Sequence, residues 1–169
     1  MYAYNYRMDS RSLEQFAQDI EAAAKAERDI IQRYVRHCKI KHGIEPAVED
    51  NGCDNSGRLL SDREVNSRAD FRVDGKPVEV KFNNNHLSKF HFKVDQLESY
   101  LKQGASVLWV NGYTTGKPVF TVLETVDLER IKRTHTPVAF LPWGGKLCYE
   151  IAATEFRWTT FEEGEQADG

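Results

Sequence analysis

The sequence predicts an α/β domain in which a mixed sheet is flanked by helices. Three observations carry that expectation. A long amphipathic segment comes first, and the stretch "ADFRVDGKPVEVKF" at 69–82 follows with the pattern of a β-hairpin. A capped helical segment then leads into the apolar run "SVLWV". The order is helix, strands, helix, strand, with shorter β elements after it.

Ser10 or Ser12 caps the first helix, which runs to about Cys38, and residues 41–43 end it. Its apolar residues Leu13, Phe16, Ile20, Ala24, Ile31, Tyr34 and Cys38 form one stripe at the 3.6-residue period. Glu27 falls in the middle of that stripe, whereas Glu14 and Glu21 fall well off it. A carboxylate turned toward a core requires partners or a metal, because burying it alone is very costly. Pairing with an arginine is the plainer alternative.

"IEPAVE" reads as a short strand. "DNGCDNSGRLLSDREVNS" is polar, turn-rich and long for a compact domain, the mark of a functional loop. In the hairpin, Asp74-Gly75 is the two-residue turn. Val73 then faces Lys76, Arg72 faces Pro77, Phe71 faces Val78 and Asp70 faces Glu79. One face collects Phe71, Val73, Val78, Val80 and Phe82; the other collects Asp70, Arg72, Glu79 and Lys81. Directly opposed residues have Cβ atoms about 4.5–5.5 Å apart. Two carboxylates that close need a raised pKa or a cation between them. A solvated strand face with a surface ion pair is the bland alternative, and the hairpin alone leaves it open.

Asp95 caps the second helix with Glu98 three residues on, and Gly104 ends it. Gln96 and Tyr100 share a face of that helix. Gln96 lies in the first turn, where free backbone N–H groups favour anions. "KPVFTVLE" is a further strand, "VDLERIKR" a short helix and "KLCYEIA" a last strand.

The 169 residues form one domain over 1–161, with a core at 12–111, additions at 117–161 and an acidic flexible tail at 162–169. No apolar run approaches the roughly 18 residues of a membrane span, and the N-terminal stretch lacks a signal-peptide layout. Cys38, Cys53 and Cys148 suggest neither a disulfide framework nor a metal cluster, which points to a reducing, cytoplasmic compartment. The five histidines make no metal-spaced pair. A net charge of −3 argues against a protein that coats nucleic acid, but allows a DNA enzyme with a local basic surface. Arg58, Arg63 and Arg68 in or beside the polar loop, and Arg72 on the hairpin, are candidates for that surface. Lys89, His91 and Lys93, flanked by Phe90 and Phe92, read either as a basic, aromatic edge for a DNA backbone or as an amphipathic strand.

Together, Glu27, Asp70, the Glu79-Val80-Lys81 triplet and Gln96 resemble the PD-(D/E)XK nuclease superfamily, which has a restriction-endonuclease-like fold. The motif stands here as Asp70, eight intervening residues, then Glu79-x-Lys81, and the family's αβββαβ core matches residues 12–111. "AERDIIQRY" around Glu27 looks like the first helix of archaeal-type Holliday junction resolvases. Gln96-x-x-x-Tyr100 is similar to the Q-x-x-x-Y motif of RecB-type and λ-exonuclease-like nucleases. One departure is plain: Ala69 stands before Asp70, where the family's name has proline.

The resemblance implies a Mg²⁺-dependent DNA endonuclease, with Mn²⁺ able to substitute. Asp70, Glu79 and the Val80 carbonyl would be metal ligands, with Glu27 completing the shell. Lys81 would orient or deprotonate the attacking water, and Gln96 would hold a phosphate or a water. Tyr100 belongs with the DNA-contacting candidates or packs behind Gln96. A structure-selective, junction-resolving enzyme of recombination or repair leads, acting as a homodimer because a junction has two strands to cut. Phe140, Leu141 and Trp143 in "PVAFLPWGGKLCYE" would serve that interface or else cover a sheet edge. A restriction-like, homing or exonuclease activity on the same fold remains open, as does an inactive nucleic-acid-binding module.

Overall fold

The computed structural model describes residues 13–50 and 69–163. The first helix, α1 (Leu13–His42), stops where Gly43 adopts a φ of 69° and donates its N–H to the Lys39 carbonyl at 2.9 Å. Lys39, Lys41 and His42 occupy the last turn, against the negative end of the helix dipole. The expected caps Ser10 and Ser12, and the side chains of Leu13 and Phe16, lie outside the described residues. The buried face of α1 is wider than the expected stripe, since Ala26, Ile30 and His37 join Ala24 and Ile31. Glu27 stands within that face, and Glu14 and Glu21 are exposed.

The hairpin has the expected register. β2 (Phe71–Val73) pairs with β3 (Lys76–Asn83) through Phe71 with Val78, Arg72 with Pro77 and Val73 with Lys76. Asp74 and Gly75 have φ values of 51° and 80°, both positive, as this tight turn requires. The Asp74 carboxylate accepts the Ala47 N–H at 2.9 Å, tying the turn to β1 (Val48–Asp50), which pairs antiparallel with β2. β5 (Ser106–Asn111) lies parallel to β3, with Glu79 opposite Val107 and Lys81 opposite Trp109. β6 (Val119–Leu123) and the two-residue β9 (Thr159–Thr160) extend the sheet antiparallel. The result is a mixed six-stranded sheet in the order β1-β2-β3-β5-β6-β9.

Between β3 and β5 lie β4 (Lys89–Lys93) and α2 (Val94–Gln103). β4 joins a second, antiparallel sheet with β8 (Lys146–Ala152) and β7 (Val138–Phe140), in the order β4-β8-β7. The expected cap of α2 is corrected. β4 runs into α2 without a loop, so Lys93, still extended, is the N-cap and makes no side-chain cap bond. Asp95 sits in the first turn and accepts the Gln96 N–H at 2.9 Å. Glu98 pairs instead with Lys132 of α3 (Thr125–Thr134) at 2.8 Å.

Two apolar layers position everything else. On one face of the large sheet, Ile30 and Ile31 of α1 pack on Phe71, Val78, Val80, Leu108 and Val110. On the other, Val107 and Trp109 meet Leu97 and Tyr100 of α2, Leu128 and Ile131 of α3, and Phe90, Phe92 and Tyr149 of the small sheet. The C-terminal segment closes over α1. Phe161 stacks near Phe120 with centroids 4.5 Å apart, the Glu162 N–H donates to His37 Nδ1 at 2.9 Å, and Glu163 pairs with Arg33. The tail expected over 162–169 is therefore held at its first two residues, and 164–169 lie outside the described residues. No helix among the described residues is long and apolar enough to cross a membrane.

Candidate active site

Where the β2–β3 ladder ends, two carboxylates take over its hydrogen bonds. The Asp70 N–H donates to Glu79 Oε2 at 3.2 Å, and the Val80 N–H donates to Asp70 Oδ2 at 3.1 Å. The tight turn forces this meeting, because it fixes the register and so the residues on either side of it. Tyr100 stands behind the pair. It is buried, and its hydroxyl donates to Glu79. Of the two expectations for it, contact with DNA or packing behind Gln96, burial excludes the first, since Phe92 of the small sheet lies against the ring, and Tyr100 is a support for the carboxylate.

Burial governs the protonation of this corner. It raises Glu79 from an ordinary 4.5 to about 8, helped by the charge of Asp70. Glu27, on α1, is raised to about 8 by burial and then by the charges of Asp70 and Glu79. Asp70 is raised by burial too, while the Val80 N–H and Lys81 pull the other way. Three carboxyls thus sense one another in a partly dehydrated corner. Lys81 supplies the nearby positive charge. Its Nζ donates to Gln96 Oε1 at 2.9 Å and lies 5.4 Å from the Phe92 ring centre and 5.7 Å from that of Tyr100.

Glu27, Glu79, Lys81 and Gln96 line a cavity of about 310 Å³. His91, Lys93 and Trp143 form its other wall. A slightly larger hollow of about 360 Å³ lies beside β1, lined by Val35, Pro46 and Val48 among others. The smaller cavity is the chemically competent one, because the raised carboxyls, an ammonium and an amide converge there.

Among the described residues no three His, Cys, Asp or Glu side chains form a ready-made metal cage. The donor set still suits Mg²⁺, which is commonly held by one or two carboxylates and keeps several waters. Asp70 and Glu79 are such a pair, and their mutual repulsion is what a divalent cation relieves.

The other expected site residues divide. Arg58, Arg63 and Arg68 lie outside the described residues. Arg72 is exposed at the hairpin and donates to the Gly75 carbonyl at 3.1 Å, away from the cavity wall. Lys89 is exposed, 3.6 Å from Glu150. His91 and Lys93 do reach the cavity, but Phe90 and Phe92 are not an exposed aromatic edge. β4 is amphipathic, and both phenylalanines point into the core. The aromatic partners of the basic residues are Phe140 and Trp143.

Comparison with protein-family models, curated proteins and solved structures finds no match. Four further residues line the cavity that the sequence did not mark as site residues: Phe82, Asn83, Trp109 and Trp143. Trp109 had a usable signal, since a strand parallel to β3 that carries it opposite Lys81 shares the site's face. Trp143 had none, because it arrives on the 3₁₀ turn Leu141–Trp143 of a distant sheet.

Proposed function

We propose that this chain is a Mg²⁺-dependent DNA endonuclease of the PD-(D/E)XK type, selective for branched or otherwise non-duplex structure. One observation carries the reading: at the end of the hairpin the Asp70 N–H donates to the Glu79 carboxylate and the Val80 N–H donates to the Asp70 carboxylate, while Lys81, next on the face of Glu79, lines the same cavity as Glu79. Phosphodiester hydrolysis needs positive charge against the phosphate and a water aligned with the leaving oxygen. Asp70, Glu79 and the Val80 carbonyl would hold Mg²⁺, with Glu27 at its margin. Mg²⁺, when bound, supplies charge against the scissile phosphate and acidifies the attacking water.

The chain's own groups do the rest. Lys81 orients that water and stabilises charge on the phosphate oxygens. Gln96 is a positioning residue, which holds the ammonium by its side-chain carbonyl. Tyr100 fixes the rotamer of Glu79 from behind. Lys93 and His91 meet the strand on the far wall. Selectivity for non-duplex structure would follow from a cavity that accepts one strand's backbone between Lys81 and Lys93.

The deciding experiment incubates the purified chain with plasmid, linear duplex, flap and four-way junction DNA, with Mg²⁺, Mn²⁺ or EDTA. Cleavage that needs the divalent ion and is fastest on a branched substrate is the expected result. Absence of cleavage with both ions on every substrate would remove the enzymatic reading and leave a binding module.

A further inference from the structure

The far wall of the cavity comes from the small sheet, outside the helix-and-strand order that carries Asp70, Glu79 and Lys81. His91 on β4 stacks on Phe140 of β7, with centroids 3.8 Å apart and planes 22° from parallel. Trp143 stands edge-on to Phe140 at 4.7 Å, and Lys93 Nζ lies 4.9 Å from the centre of the Trp143 ring. Trp143 is nevertheless 37% exposed. A part-exposed tryptophan that lines a cavity and is held by an edge contact with one aromatic and by a nearby cation offers a base a stacking platform.

Trp109 backs the cavity from the large sheet; it is only 4% exposed and packs against Phe90 and Phe92. The charge agrees with an anionic ligand. Lys93 is partly buried, faces Lys146 and Lys81, and is held below the usual lysine range by burial and then by those like charges.

We infer that the small sheet carries a subsite for one unpaired nucleotide next to the phosphate held at Glu79 and Lys81. The base stacks on Trp143, and its phosphate lies between Lys93 and Lys81. The nucleotide must be unpaired, because a base inside a duplex has both faces covered by its neighbours and offers none to an indole. This inference rests on reading the cavity as a site for a DNA strand.

The test measures binding alone, by fluorescence anisotropy of the full chain in EDTA. The probes are a labelled oligothymidine, a blunt duplex and the same duplex with a single-stranded overhang. Trp143→Ala should weaken oligothymidine and the overhang roughly ten-fold and the blunt duplex less than about two-fold. Trp143→Phe should retain most of the affinity. One abasic position walked along the oligothymidine should reproduce the loss at a single place in the wild type, and cost nothing further there in Trp143→Ala. The abasic walk and Trp143→Phe decide the matter even if Trp143→Ala folds poorly.

Equal losses on duplex and single strand, or no loss at all, would overturn the subsite. So would a change of oligomeric state by light scattering with binding intact, which would make Trp143 a self-association residue. Because no divalent ion is present, a chain that passes this test without cutting DNA loses the nuclease reading and keeps the subsite. A chain that cuts DNA and fails the test keeps the nuclease and loses the subsite.

Discussion

Lys81 Nζ donates to Gln96 Oε1 at 2.9 Å, a bond that joins the central strand to the first turn of α2. It holds the Lys81 ammonium beside the carboxylate pair at a fixed height above the sheet. Lys81→Ala should lower the rate of the chemical step by orders of magnitude while leaving affinity within a few-fold, since one charge among many phosphate contacts matters little to binding. Gln96→Ala should give a smaller loss in kcat, and Gln96→Glu should restore part of it by keeping an oxygen acceptor. Single-turnover cleavage beside equilibrium binding separates the two effects. A loss confined to affinity would recast Lys81 as a backbone clamp.

Asp70→Asn and Glu79→Gln should each lower cleavage by orders of magnitude and keep DNA binding. Folding should survive, because the asparagine and glutamine oxygens still accept the Val80 and Asp70 N–H groups that the carboxylates accept. Near wild-type cleavage by either variant would place the metal elsewhere.

Glu27→Ala should impair cleavage, and Glu21→Ala should be nearly silent, because Glu27 lines the cavity while Glu21 is exposed. Rates measured side by side under limiting Mg²⁺ decide the point. Equal rates for the two variants would show that α1 contributes no carboxylate to the chemistry.

Stability without metal should fall as pH rises from about 5 to about 8. Glu27 and Glu79 have folded values near 8 against an ordinary 4.5, so over that window the folded chain binds more protons than the unfolded one. Their stabilising protons are fully present below the lower value and lost through the upper one. Thermal melts in EDTA at a series of pH values should show the decline, and Glu79→Gln should flatten it. Mg²⁺ added at pH 8 should raise the Tm of the wild type and do so far less for Asp70→Asn. A melt that is insensitive to pH over this range would mean that the carboxyls are solvated and ionised.

Much of the site could be read before the fold was known, for a local reason. A two-residue turn with positive φ fixes the register of its own strands, so the meeting of Asp70 with Glu79 needs nothing outside 69–82. Glu27 was readable because a helix keeps one phase over its whole length. Other features depend on partners distant in sequence. That β4 leaves the large sheet is decided by β8, and no pattern within "KFHFK" announces it. The sequence therefore left open whether Phe90 and Phe92 face DNA or the core, and whether Tyr100 contacts DNA or packs behind Gln96, and the small sheet decides both for burial. The start of α2 moved for the same reason, since pairing carries the extended backbone through Lys93.

The pairing of β4 with β8 also sets an order of assembly. The hairpin closes around two residues and can form as soon as it leaves the ribosome, whereas Lys93 must wait for Cys148. A nascent chain that has reached β5 already contains both carboxylates, Lys81 and Gln96. It lacks Trp143 and the aromatic brace around it, so Phe90 and Phe92 are still uncovered. Until the C-terminal third emerges, β4 lacks its partner strand and the cleft lacks its far wall.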